Sequence, residues 1–226
     1  MKIIGHRGAK GLASENTLAS FAKALEYNVD EIECDVRITK DNVAVLEHDN
    51  NLHTAIGEDY EVSEHTLAEL IKYKPDLPTL EQAIAFVNKQ VVLQIEVKPN
   101  EKIEPVVACV ESFIAKGWPT EMFIISSRDY GVLKAAKVMA PHIPLSVIET
   151  WSSVRATWRA RRLKTKRISM NEHVMWPLFI KSMSRGGYLL CGYTMDDPVR
   201  GRKWARYGLH AVITDYPDRF TKPHNK

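Results

Sequence analysis

The sequence predicts an α/β fold: a closed (β/α)8 TIM barrel with a small hairpin and insertion at its mouth. Three observations predict it. Short β-branched runs alternate with helical patterns along all 226 residues, and such alternation implies a parallel sheet. A single α/β barrel commonly uses ~200–250 residues. Finally, nine strand-like runs are present, and one of them follows its predecessor too closely to be parallel to it. That leaves the eight parallel strands of a barrel. The runner-up is an open doubly wound sheet.

The runs cover residues 2–6, 31–39, 43–47, 91–97, 122–126, 145–148, 167–170, 188–194 and 211–214. Between the first two, the stretch 15–27 sets Leu18, Phe21, Ala22 and Leu25 at helical spacing. The stretch 79–88 does the same with Leu80, Ala83, Ile84 and Val87. Only Lys40-Asp41-Asn42 separates Thr39 from Val43. A parallel crossover needs about a dozen residues or more, so 43–47 folds back antiparallel on the preceding strand. The longest stretch without a barrel strand is 48–78. It contains one predicted helix, 66–73, and reads as a small insertion over the mouth. With no repeat, low-complexity tract or long linker, residues 1–226 read as one barrel domain.

Composition narrows the class. Apolar residues make up 45% and charged residues 26%, which excludes a disordered chain. A net charge of +3 is too small to mark a nucleic-acid protein. No run approaches the ~18 apolar residues of a membrane span. Nor does Met1-Lys2 lead into the apolar core of a signal peptide. Cys34, Cys109 and Cys191 are odd in number and far apart. They read as reduced core residues of a cytoplasmic protein. The cations Arg155, Arg159, Arg161, Arg162, Lys164, Lys166 and Arg167 form the strongest basic run, read as a solvated helix face. Trp151, Trp158 and Trp176 beside it read as core.

In a barrel the chemistry gathers at the C-terminal ends of the strands. Those ends carry Gly5-His6-Arg7-Gly8, Glu33 with Asp35, His48-Asp49, Glu96 with Lys98, and then Ser126, Asn171, Thr194 and Asp215. Residues two apart on a strand share a face, so Glu33 pairs with Asp35 and Glu96 with Lys98. One acid in a strand would read as a surface ion pair. Three acids inside apolar runs have no such reason to be there. Their mutual repulsion calls for a hard divalent cation, Mg²⁺ or Ca²⁺ rather than Zn²⁺, because the ligands are all oxygen. His6 and His48 supply two imidazoles for phosphoryl chemistry: one removes a proton from the nucleophile and the other donates one to the leaving oxygen. Arg7 can fork two phosphate oxygens. His53, His65, His142, His173, His210 and His224 are left without a role. Ser126-Ser127 lacks the Gly-x-Ser-x-Gly turn of a serine nucleophile.

An ordered set of motifs resembles the glycerophosphodiester phosphodiesterase family. The set opens with Ile4-Gly5-His6-Arg7-Gly8 and Glu15-Asn16-Thr17-Leu18 with Phe21 and Ala24. It continues through Ile32-Glu33-Cys34-Asp35-Val36, Thr39-Lys40-Asp41, Val45 and His48-Asp49. Thr66-Leu67-Ala68-Glu69-Leu70, Pro78-Thr79-Leu80-Glu81 and Ile95-Glu96-Val97-Lys98 follow. Ser126-Ser127, Tyr193-Thr194 and Ile213-Thr214-Asp215-Tyr216-Pro217 close it. The resemblance spans nearly the whole chain. It implies a TIM-barrel enzyme that hydrolyses deacylated phospholipids to glycerol 3-phosphate and an alcohol. It makes His6 and His48 the acid/base pair and Glu33, Asp35 and Glu96 the ligands of one cation. It turns Arg7 and Lys98 to the phosphate and places Glu15 as a further metal or hydrogen-bond contact.

The sequence departs from the family pattern at Ser14 (usually proline), His53 (often arginine), Arg128 (commonly aromatic) and Tyr193 (frequently tryptophan). These departures bear on substrate preference, and the short insertion implies an open site. The substrate is expected to be a small glycerophosphodiester, with neither nucleic acid nor a transmembrane segment. The alternatives are a phospholipase-like relative acting on lysophospholipids and a barrel that binds phosphodiesters without turnover.

Overall fold

The eight parallel strands expected from the sequence close on themselves. In the computed structural model, which describes residues 1–53 and 59–222, they are β1 (Lys2–Gly5), β2 (Glu31–Ile38), β6 (Val92–Val97), β7 (Phe123–Ser127), β8 (Leu145–Glu149), β9 (Arg167–Asn171), β10 (Leu189–Tyr193) and β11 (Ala211–Thr214). The ring is sealed at β1. It pairs with β11 along one edge and with β2 along the other, where Ile4 lies opposite Glu31 and Gly5 opposite Ile32. That closure rules out the open sheet.

The short strand β3 (Ala44–Leu46) lies antiparallel to β2, with Val36 opposite Leu46 and Ile38 opposite Ala44. The three-residue link therefore makes the expected hairpin. At eight residues β2 is the longest strand among those described. It rises above the ring, and β3 carries the chain back down from it.

Helices α1 (Leu18–Glu26), α2 (Leu67–Tyr73), α3 (Leu80–Val87), α4 (Glu104–Ala115), α5 (Tyr130–Met139), α6 (Ser153–Leu163), α7 (Pro177–Arg185) and α8 (Pro198–Ala205) fill the connections. Their starts are written in the sequence. Thr17 accepts from the Ser20 N–H, and Thr66 and Thr79 form capping boxes with Glu69 and Gln82. The first helix begins later than its apolar pattern predicts. Thr17 caps it, and Asn16 sits in the left-handed region at φ 55°, so Glu15 and Asn16 stay in the loop after β1. Within α1, Ala24 is buried and Ala22 is exposed, a shift of register from the expected face.

The insertion contains a feature missed in the sequence: β4 (Asn51–His53) and β5 (Asp59–Glu61) pair antiparallel, with Leu52 opposite Tyr60. Three residues per strand are too few to show alternation. The segment is anchored by its own small core of Val45, Leu52, Val62, Leu70 and Leu77. The His53 side chain and His224 lie outside the described residues.

Alternation along each strand sorts the barrel. Ile32, Cys34 and Val36, with Leu93, Ile95 and Val97, point outward into the layer under the helices. The residues between them point inward. On one side of the interior these are Glu31, Glu33, Asp35, Gln94 and Glu96, all buried. On the other they are Ile4, Cys191, Ala211 and Ile213. The polar side is capped at the bottom by Arg167 on β9, whose guanidinium lies 2.5 Å from Glu31 and also reaches Gln94.

Two surface expectations are corrected. Arg167 is not part of a solvated basic face, because its place on β9 turns it into the barrel. Arg155 and Arg159 are tied to Glu149, the former at 2.5 Å. The tryptophans are not core. Trp151, Trp158 and Trp176 are 76%, 50% and 53% exposed. Two stand in the connections after β8 and β9, and on α6 the inward positions belong to Ala156, Ala160 and Leu163. Cys34 and Cys191 are buried, Cys109 is partly so, and all three are free thiols. Among the described residues no helix is long and apolar enough to cross a membrane.

Breaking one partner of a buried ion pair strands the other in low dielectric, at a cost of about 3–5 kcal/mol. Arg167→Ala, which leaves Glu31 with only the half-exposed Lys2 at 3.2 Å, is expected to lower unfolding free energy by up to that amount in urea titrations. A change indistinguishable from zero would show that the pair does not hold the barrel bottom.

Candidate active site

The loop after β1 sets the first residues. Gly5 ends the strand, and the chain turns through Arg7 at φ 51° and Gly8 at φ 86°. Gly8 tolerates no side chain, since a Cβ there would stand 2.3 Å from Ser20 Oγ. Arg7 is pinned through its carbonyl, which accepts from Ser20 Oγ (2.8 Å) and from Asn16 N–H (3.1 Å). Its own N–H donates to Glu33 Oε2 at 3.0 Å. The tight turn thus delivers His6 and Arg7 to the acidic side of the barrel.

Glu33, Asp35 and Glu96 each offer an oxygen, and these lie within 4.8 Å of one another, all on buried side chains. The register explains the approach. Asp35 stands opposite Glu96 on the neighbouring strand, and Glu33 is two residues below Asp35 on the same face. Lys98 bridges two of them, 2.5 Å from Asp35 and 3.1 Å from Glu96. The Arg7 guanidinium lies 2.9 Å from Asp35 and 2.7 Å from Glu15. Glu15 also meets Lys10 at 3.0 Å. It therefore meets the cluster through Arg7 and is not one of the three converging acids.

His6 points its Nε2 towards Glu33, at 3.9 Å, and its Nδ1 to Asp215 Oδ1, at 2.5 Å. His48 arrives by the hairpin, two residues beyond Leu46. Its carbonyl accepts from the Arg37 guanidinium at 3.0 and 3.1 Å, and its Nδ1 lies 2.8 Å from Asp49. His6, Arg7, Glu33, Glu96 and Lys98 line one cavity at the mouth, whose wall continues through Arg128 and Tyr193. His48 stands beside that lining, close enough to feel Lys98, Asp35 and Arg7.

Electrostatics divides the groups. Burial and then the Asp35 charge push Glu33 up to about 7. Burial works the same way on Asp35, but Lys98 and Arg7 outweigh it and hold that carboxyl down at about 2. Burial opposes charge on His6, yet the Asp215 hydrogen bond and the Glu33 charge raise it above its ordinary value. His48 is lowered, by burial and by the Lys98 cation.

The donor set fits a hard cation. All three groups are carboxylates, and among the described residues nothing donates a hydrogen bond to Glu33 Oε1, a buried oxygen. A buried acceptor without a partner is costly, and an ion in reach of it removes that cost. The cluster could hold a metal ion.

Two residues that shape the site had no role in the sequence reading. Asn16 grips Asp35 twice, donating to Oδ2 at 3.0 Å and accepting the Asp35 N–H at 3.1 Å. Asp215 orients His6. Both stood in the motifs noted above, and the missing signal was spatial: Asp215 lies 209 positions from His6. Of the other strand ends, Ser126 is buried and its Oγ has no hydrogen-bond partner among the described residues, and Asn171 accepts from the His173 N–H in the turn after β9.

Comparison with known proteins bears on this geometry. The sequence profile of the Glycerophosphoryl diester phosphodiesterase family matches residues 6–219. A glycerophosphodiester phosphodiesterase of Caldanaerobacter subterraneus is 28% identical over 233 residues, covering 96% of this chain and 94% of that one. Human lysophospholipase D GDPD1 is 32% identical over 130 residues, half of this chain and 41% of its own. Among solved structures, an Oleispira antarctica phosphodiesterase in complex with the product sn-glycerol-3-phosphate superimposes with a TM-score of 0.86. It is 27% identical, with 97% of this chain and 95% of that one covered.

The raised Glu33 gives the cluster a pH signature. With no divalent cation, folded Glu33 keeps a proton that the unfolded carboxyl releases, so stability falls as pH climbs from about 4.5 to about 7. A bound cation favours the ionised form and offsets that fall. Magnesium or calcium is therefore expected to raise the melting temperature more at about pH 8 than at about pH 5, relative to chelator. Equal or absent cation effects at the two pH values would exclude the cluster as a cation site.

Proposed function

The chain belongs to the glycerophosphoryl diester phosphodiesterase family and hydrolyses glycerophosphodiesters, and from that premise we propose how its residues divide the work. The observation that carries the proposal is the convergence of His6 on three buried carboxylates whose oxygens lie within 4.8 Å of one another. Glu33, Asp35 and Glu96 would hold one Mg²⁺ or Ca²⁺, which when bound supplies a Lewis acid against phosphoryl charge. Arg7 and Lys98, the cations that balance the cluster, would meet the phosphate. Glu15 would steer Arg7.

His6 is the base in this proposal. Its Nδ1–H donates to Asp215, so its Nε2 lone pair faces the cavity. The nucleophile is the glycerol 2-hydroxyl or a water, and either gives its proton to Nε2 as it attacks phosphorus. His48 then protonates the departing alcohol oxygen, as befits the more acidic of two imidazoles. Where the 2-hydroxyl attacks, the cyclic phosphate formed is opened by water with the two roles reversed. Both routes end at glycerol 3-phosphate.

We further propose that residues 1–226 act as one barrel domain, with 48–78 a small insertion beside the mouth. The three free thiols, two of them buried, support a reducing compartment such as the cytoplasm.

Acid/base groups contribute ~10²–10⁴ in rate. His6→Ala and His48→Ala are each expected to lower kcat on a soluble glycerophosphodiester by that factor. Asp215→Ala should reduce kcat more than it changes KM. Exhaustive chelation should abolish activity, and Mg²⁺ or Ca²⁺ should restore it. Turnover that survives chelation would overturn the metal assignment, and normal kcat in both histidine variants would overturn the acid/base one.

A further inference from the structure

Arg128 follows β7 at the cavity rim, touching the acidic cluster only at its edge, and has no part in the acid/base pair. Its guanidinium lies 5.5 Å over the ring of Tyr193, donates to Thr150 Oγ1 at 3.2 Å, and comes within 3.7 Å of Glu96. The Tyr193 hydroxyl lies 3.1 Å from the same Thr150 oxygen. Arg128, Thr150 and Tyr193 therefore brace one another into a fixed wall.

The carboxylates around this wall are already engaged. Glu149 is clamped by Arg155 at 2.5 Å, approached by Arg159 at 3.5 Å, and accepts from the backbone N–H groups of Thr150 and Trp151. Asp129 accepts from the Gly131 N–H at the start of α5. Glu96 is shared with Lys98 and belongs to the acidic cluster. Arg155 and Arg159 offset Glu149 and Lys98 shares Glu96, which leaves the half-exposed Arg128 guanidinium as the cation of this wall that still reaches solvent.

Depth separates Arg128 from the other cations. Its side chain is 46% exposed, against 12% for Arg7 and 5% for Lys98. The phosphate belongs among the deep cations beside His6, and the part of a diester that projects outward passes Arg128. A glycerophosphodiester varies only in its alcohol half. A quaternary ammonium alcohol would seek an aromatic face. Tyr193, the aromatic ring other than His6 among the described residues lining the cavity, already carries the Arg128 guanidinium.

We propose that Arg128, braced by Thr150 and Tyr193, is the specificity residue for the alcohol half of the substrate, and that it favours diesters whose alcohol is anionic over uncharged ones and uncharged over cationic ones. The inference rests on the phosphodiesterase reading of the site and adds the substrate class to it. Tyr193 and Thr150 act as positioning residues for the guanidinium. At a half-exposed rim, each unit of charge should change the rate by about fivefold to tenfold.

The test compares kcat/KM for glycerol 3-phosphate release from three diesters at low salt. These are glycerophosphocholine, glycerophosphoglycerol and glycerophosphoinositol 4-phosphate, whose alcohol halves are cationic, uncharged and anionic. The wild-type rates should rise in that order, and added salt should compress the spread. Arg128→Met should shrink the inositol-phosphate-to-choline ratio by about tenfold or more, while Arg128→Lys keeps the order, with circular dichroism checking the fold of both. Equal losses on all three substrates in Arg128→Met would assign Arg128 to the phosphate and overturn the proposal. So would a wild-type preference for choline, or no dependence on alcohol charge. Wild-type protein that releases glycerol 3-phosphate from none of them would instead end the phosphodiesterase reading itself.

Discussion

Glu33, Asp35 and Glu96 are drawn out of water at the mouth of a closed barrel, with oxygens within 4.8 Å of one another. Left alone, such a trio could not be ionised together. Much of the surrounding structure answers that repulsion. Lys98 and Arg7 sit against Asp35, His6 approaches Glu33, and the Arg7 N–H donates to the same Glu33 carboxylate. The answer is uneven. Asp35 receives two cations and a hydrogen bond from the Asn16 amide and stays ionised. Glu33 is undercompensated and holds its proton up to about 7. This imbalance leaves at Glu33 a buried carboxyl that an added positive charge would ionise, in a cluster whose geometry could hold a metal ion.

The fold serves that cluster in two ways. Closure of the ring brings β1 and β2 side by side, so that His6 on one strand end meets Glu33 on the next. The overshoot of β2, with β3 folded back on it, returns His48 to the same region without a further barrel strand. One imidazole thus comes from the ring itself and the other from a ribbon above it. Their surroundings differ accordingly: His6 is partly buried against two carboxylates, while His48 is more open, beside a lysine.

Much of this was legible in the sequence. The barrel followed from alternation and one short link. The acidic face followed from spacing of two within apolar strands, because a strand's period is short and its consequences are local. Residues that act across long separations were not legible. Asp215 closes on His6 because the last strand lies next to the first. Arg167 was read as surface charge because its run is basic, yet strand alternation turns it inward onto Glu31. The tryptophans failed for the opposite reason. Apolar character predicts burial only where an element presents it inward, and Trp151 and Trp176 stand in connections while Trp158 faces away from the α6 alanines. The pair β4 and β5 is too short to carry a pattern at all.

The interior is divided, and the division sets what a substrate meets. Ile4, Cys191, Ala211 and Ile213 fill one side with apolar atoms, and the opposite side holds every acid of the cluster. Such a cavity sets an apolar wall of low dielectric across from concentrated charge, which strengthens each interaction at the mouth over its value in water. Charges at the rim then act on a substrate before it reaches the acids. Arg128 is the exposed cation braced there, and Tyr193 beneath it rises from the same strand that contributes apolar Cys191 to that wall. The strand that contributes to the apolar wall therefore also supports the entrance, where Arg128 is half-exposed while Arg7 and Lys98 lie deeper, out of reach of most solvent.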